Sequence, residues 1–87
     1  MTTEEIRAKL ATMIAEKVTS RITSQQIQWD TRLRDDLGID SLAVAELMYD
    51  IEETFGTPLD EIEPAKLVTL RDAVAAIERG LQLPPAN

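Results

Sequence analysis

Asp40-Ser41-Leu42-Ala43-Val44-Ala45-Glu46-Leu47-Met48-Tyr49-Asp50-Ile51-Glu52-Glu53-Thr54-Phe55-Gly56 is the stretch from which the fold can be read. Val44, Leu47, Met48, Ile51 and Phe55 recur at the three- and four-residue spacing of a single helix face. Asp40 has the side chain of an N-cap, which accepts from a backbone N–H of the first turn. Gly56 supplies a C-terminal stop, and Pro58 bars continuation. The stretch therefore predicts a helix from Asp40-Ser41 to Phe55-Gly56. Its opposite side carries Leu42, Glu46, Tyr49, Asp50 and Glu53. Two apolar side chains thus stand among carboxylates on the face turned to water. An apolar centre with an acidic rim is the form of a small docking surface. Scattered exposed apolar residues are also ordinary, so this face has two readings.

Working toward the N-terminus, Thr2-Thr3-Glu4-Glu5 has the pattern of a capping box, with Thr2 as N-cap and Glu5 reaching back. Ile6, Leu10, Met13, Ile14 and Val18 follow as one helical stripe, and this first helix is expected to end between Val18 and Arg21. No period holds from Arg21 to Asp40. Thr23-Ser24-Gln25-Gln26 reads as loop, while Ile27, Leu33 and Leu37 peg the connection to the core. A connection of about 20 residues is unusual unless it is functional or packed by its own side chains. Trp29 within it is either a packing plug or a binding platform, the plug being the commoner role.

Toward the C-terminus, Thr57 to Leu67 reads as a connector with a short helical turn at most. Pro64 suits a first helical position after Glu63, and Leu59, Ile62 and Leu67 close one side of a bundle. The last helix opens at Thr69 with Asp72 as its third-position acid. Leu70, Ala73, Val74 and Ile77 form its stripe, Gly80 is its expected stop and Leu81 its last apolar candidate. Leu83 to Asn87 reads as a frayed tail. The fold class is all-α: a small bundle of three main helices plus one short helix, with a long loop between the first and second helices. Residues 1–82 form the bundle and 83–87 a flexible tail.

Composition narrows the function. A chain of 87 residues has room for one domain with a small core. Only Trp29, Tyr49 and Phe55 are aromatic, so that core is aliphatic. The absence of cysteine removes disulfides, thiolate clusters and thiol nucleophiles; the absence of histidine removes the usual acid–base group at neutral pH. Neither a metal centre nor a catalytic group is expected. A net charge of −7 argues against nucleic acid and anionic membranes as partners. The longest apolar run, Ala73 to Ile77, is too short to span a bilayer. The acidic start, Met1-Thr2-Thr3-Glu4-Glu5, lacks the basic region of a secretory signal, and a cytoplasmic location is expected.

The charge is also segregated. Ten of the 16 acidic residues lie between Asp35 and Glu63, a stretch without a single Lys or Arg. All nine bases lie outside it. One reading is a solvated face that keeps a small protein soluble. The other is a steering surface for basic partners. The missing bases favour the second, since a helix face made for solubility interleaves Lys or Arg one turn away.

Asp35-Asp36-Leu37-Gly38-Ile39-Asp40-Ser41-Leu42 leads into the central helix. Ser41 follows the N-cap, so its hydroxyl lies at the helix mouth near solvent. Free N–H groups and the positive end of the helix dipole favour a bound or attached phosphate there. No base neighbours Ser41, so it is not an activated nucleophile in its own right. It is open to modification by another enzyme, and equally to the plain role of a helix-starting serine. A calcium site on Asp35, Asp36 and Asp40 does not match the spacing of an EF-hand loop.

Asp36-Leu37-Gly38-Ile39-Asp40-Ser41-Leu42, followed by Glu46-Leu47 and Ile51-Glu52-Glu53-Thr54-Phe55-Gly56, resembles the acyl carrier proteins. The resemblance extends over nearly the whole chain, through Lys66-Leu67-Val68-Thr69-Leu70-Arg71-Asp72. It implies a free-standing carrier with 4′-phosphopantetheine attached covalently to Ser41, flanked by Asp40 and Leu42. It further implies acyl thioesters carried for polyketide or fatty acid enzymes. Implied partners are a phosphopantetheinyl transferase and an acyltransferase, ketosynthase or acyl-activating ligase, docking through Leu42, Glu46, Tyr49, Glu52 and Glu53; the free protein is expected to be a monomer. A chain without cysteine fits that role, because the arm then supplies the only thiol. An aliphatic core is also suited to repack around an acyl chain near Leu47, Met48, Ile51, Leu67 and Val74. Pro64 departs from the pattern where relatives usually continue a short helix. Alternative readings are an aminoacyl or peptidyl carrier, whose motif more often contains a Gly-Gly pair, and an acidic helical module whose Ser41 is never modified.

Overall fold

The computed structural model describes residues 2–18, 21–59 and 62–82. It contains three helices, α1 (Thr3–Lys17), α2 (Ser41–Phe55) and α3 (Leu70–Gln82), with single 3-10 turns at Ser24–Gln26 and Pro64–Lys66. Among the described residues there is no strand, only an isolated bridge between Arg32 and Thr69. The fold is the all-α bundle expected from the periodicity. The short fourth element is one 3-10 turn with Pro64 at its start.

The caps explain the helix boundaries. Thr2 Oγ1 accepts from Glu5 N–H at 3.1 Å, and Thr2 N–H donates to Glu5 Oε1 at 2.8 Å, the reciprocal pair of a capping box. Thr69 and Asp72 form the same pair at the head of α3, at 3.1 and 3.2 Å. α2 ends at Gly56, whose φ of 69° is left-handed and whose N–H closes on Glu52 O at 2.9 Å.

The core is aliphatic. Ile6, Leu10, Ala11 and Ile14 of α1 meet Val44, Leu47, Met48, Ile51 and Phe55 of α2 and Leu70, Ala73, Val74, Ala76 and Ile77 of α3. Ile27, Leu33 and Ile39 enter from the long connection, and Leu59 and Leu67 from the second connector. Met13, Val18, Leu37 and Ile62 pack at the margin. Each fully buried aliphatic side chain contributes about 1.5–3 kcal/mol relative to exposure, which makes this cluster the main source of stability.

The structure corrects three local expectations. Thr23 to Gln26 is not plain loop but a 3-10 turn with its own capping box, in which Gln26 Oε1 accepts from Thr23 N–H at 2.8 Å. Gly80 does not stop α3, which continues to Gln82. Its lack of a side chain serves packing instead: a Cβ there would collide with Thr57 Oγ1. Leu81 is exposed. The long connection is fastened to the bundle by polar as well as apolar contacts. Trp29 is half-buried under the Arg71 guanidinium, 5.5 Å from the ring centre, and Arg71 also pairs with Asp30 at 3.1 Å. Trp29 is thus a plug. The expected tail, 83–87, lies outside the described residues.

Candidate functional site

The approach to α2 is irregular but closely stitched. Asp36 and Leu37 N–H both donate to Arg32 O, at 2.9 and 3.2 Å. Gly38, at φ 73°, takes a left-handed turn that brings its N–H to Arg34 O at 3.0 Å. Ile39 N–H then returns to Leu33 O at 3.0 Å, while Leu33 N–H reaches Val68 O at 2.8 Å. This chain of bonds ties the start of α2 to the segment that opens α3. Asp36 braces the turn: its carboxylate accepts from Arg32 N–H at 2.7 Å and from the Arg32 guanidinium at 3.2 Å. These bonds, the backbone one first, hold the Asp36 pKa below its ordinary value. Asp35 lies 3.6 Å from the same guanidinium.

Asp40 is the N-cap. Its Oδ1 accepts from Ala43 N–H at 2.8 Å, and its carbonyl accepts from Val44 N–H at 2.9 Å. Ser41 is the first helical residue and is exposed. Because Asp40 supplies the cap, the Ser41 hydroxyl is not needed to hold the helix. Ile39 and Val44, both buried, occupy the two positions of a hydrophobic staple and fix the angle at which the chain enters α2. Ile39 escaped the sequence reading, although an apolar residue just before an N-cap is the signal for it.

This arrangement fits a covalently attached phosphate. The hydroxyl faces solvent, no packed side chain must move, and the first-turn N–H groups and dipole favour an anion at that end.

The outer face of α2 runs along one line from Leu42, the residue after Ser41. Leu42 is 69% exposed and Tyr49 is 62% exposed, with Glu46 and Glu53 exposed beside them. Glu52 lies to one side: half-buried, its carboxylate accepts from Leu59 N–H at 2.6 Å and fastens the second connector. Asp50 turns the other way and pairs with Lys17 Nζ of α1 at 2.9 Å. The acidic stretch thus has a counter-charge that spacing along α2 does not reveal, because it comes from another helix.

Residues 8–77 match a family model described as a phosphopantetheine attachment site. The chain is 37% identical over 78 residues to the acyl carrier protein of Thermotoga maritima, covering 90% of this chain and 94% of that one. It is 36% identical over 81 residues to that of an Exiguobacterium species, covering 93% and 100%. Against the acyl carrier protein of Lactobacillus johnsonii it is 38% identical over 78 residues, covering 90% and 95%.

Proposed function

The chain belongs to the acyl carrier protein family, and from that premise we propose that Ser41 bears the arm and that the outer face of α2 is where partner enzymes dock. As a family member it is a non-catalytic carrier whose cofactor is phosphopantetheine. When attached, the arm supplies the thiol on which acyl groups ride as thioesters.

The observation that carries the reading is the division of labour at the head of α2. Asp40 holds the cap, so Ser41 is presented outward with no structural duty. The chain has no histidine or cysteine to activate that hydroxyl, so the general base belongs to the partner transferase. Glu46 and Glu53 then steer basic partners, while Leu42 and Tyr49 give a small apolar centre that releases as readily as it binds. Asp40 and Glu52 flank this contact. A phosphopantetheinyl transferase and an acyltransferase, ketosynthase or acyl-activating ligase are the partners such a face suits. The cargo is an acyl intermediate of polyketide or fatty acid synthesis. The Leu37-Gly38-Ile39-Asp40-Ser41-Leu42 wording supports an acyl carrier over a peptidyl one. We place this carrier in the cytoplasm as a free monomer; among the described residues no helix is long and apolar enough to cross a membrane. Acyl chains of increasing length are expected to shift NMR signals of Leu47, Met48, Ile51, Leu67 or Val74.

The docking face is tested by reversing one charge. Glu46→Lys should slow arm installation or acyl transfer by about tenfold at low salt, with helicity unchanged. Wild-type kinetics with every partner offered would remove the docking assignment.

A further inference from the structure

Asp50 stands apart from the rest of the acidic face. Glu46, Tyr49 and Glu53 are exposed, whereas Asp50 leans across the seam between α1 and α2 onto Lys17. Lys17 is the last residue of α1, where the negative end of the helix favours a cation. The pair lines two shallow grooves along that seam. One groove continues to Ala45, Glu46 and Tyr49. The other continues to Met13, Glu16, Glu53 and Thr54. The Lys17 pKa is raised, first by its hydrogen bond to Asp50, with the charges of Asp50, Glu46 and Glu16 adding to it. The ammonium therefore lies within the field of the docking face as well as on its immediate partner. The two side chains remain 25% and 46% exposed. A pair that exposed adds little to stability, so its consequence lies in the charge the surface presents.

We propose that Lys17 is an internal counterion of the docking surface, masking Asp50 from basic partners, so that α1 helps to set which partners α2 accepts. This rests on the docking role of the α2 outer face. The partner it fits brings basic side chains to Glu46 and Glu53 and an apolar recess to Leu42 and Tyr49. A partner that aims a further basic group at Asp50 meets the Lys17 ammonium, and like charges brought together at an interface discriminate against it.

The test is direct binding of a phosphopantetheinyl transferase to Ser41→Ala protein, which reads docking without transfer. Four further proteins are built on that background: Lys17→Gln, Lys17→Gln/Asp50→Asn, Glu46→Lys and Arg79→Gln. The last makes the same charge change on α3. Circular dichroism checks that all are folded. Lys17→Gln should bind about two- to fivefold tighter at low salt, with the gain shrinking as salt rises. The gain should disappear when Asp50→Asn is added, and Arg79→Gln should show at most a small fraction of it. Equal gains for Lys17→Gln and Arg79→Gln, or a gain that survives Asp50→Asn, would overturn the masking role. Wild-type affinity in Glu46→Lys would overturn the docking face itself and the masking with it.

Discussion

The two connectors that flank α2 are both irregular, and they differ in how far long-range backbone hydrogen bonds fasten them. In the first, leading to Asp40, the buried side chains of Ile27, Leu33 and Ile39 are joined by long-range backbone hydrogen bonds: Leu33 to Val68, Leu70 to Thr31 and Arg71 to Trp29. The Arg32–Asp36 brace and the Arg71–Trp29 stack reinforce them. The second shares one of these bonds, at Val68, and is otherwise held by Leu59 and Leu67 in the core and by the Glu52 carboxylate on Leu59 N–H. It also contains a polar cost, for Thr57 Oγ1 is buried without a hydrogen-bond partner among the described residues. The difference shows where positional accuracy is built in. The first connector leads into Ser41 and ties the head of α2 to the segment that opens α3; the second closes the core with Leu59 and Leu67, and its Thr57 packs on Gly80.

Breaking each connector at its own kind of joint sharpens this contrast. The largest effect is expected at Leu33, fully buried in the first connector. Leu33→Ala should cost about 2–5 kcal/mol in denaturant unfolding, by loss of burial and an unfilled space. A loss under about 1 kcal/mol would mean that backbone bonds alone hold this connector. Next is Gly80→Ala, whose new methyl meets Thr57 Oγ1 and should cost about 1–3 kcal/mol. Adding Thr57→Ala should return most of that loss, since it removes the colliding atom; equal losses in the single and double variants would contradict the packing role of Gly80. Thr57→Val replaces the unpartnered hydroxyl with a methyl of similar shape. It should stabilise the protein by about 1 kcal/mol, and a destabilised variant would show that the hydroxyl has a partner in solution.

The smallest effect is a pH dependence in the first connector. Asp36 titrates below its ordinary value of 3.8 in the folded protein. Its bonds to Arg32 therefore add stability that is fully present above that value and is lost as pH falls through the depressed one. The stability gap between wild type and Asp36→Asn should be open near neutral pH and should close under acid. A gap that is constant with pH would contradict the brace.

The same contrast explains what could be read from the sequence. α2 and its buried stripe were legible because Val44, Leu47, Met48, Ile51 and Phe55 obey one local period between a cap and a glycine stop. α1 and α3 were legible from capping boxes at Thr2 and Thr69. Ser41 was legible as a candidate because its position follows from the Asp40 cap. Lys17 was not, because its partner Asp50 lies on another helix, and local spacing rules see only neighbours on the same one. Gly80 misled for a related reason: a glycine near a helix end reads as a stop, while its true constraint is Thr57, which precedes it by 23 residues. The Thr23–Gln26 turn was hidden because three residues are too few to show a period.

The central claim is that Ser41 bears the arm, and the charge segregation offers a direct way to measure it. No Lys or Arg lies between Arg34 and Lys66, so trypsin releases Asp35 to Lys66 as one peptide in which Ser41 is the only serine. After incubation with coenzyme A and a phosphopantetheinyl transferase, that peptide should gain the mass of one phosphopantetheine, with fragmentation placing it on Ser41. Added mass on any other peptide, or an unmodified Ser41 with every transferase offered, would contradict the account.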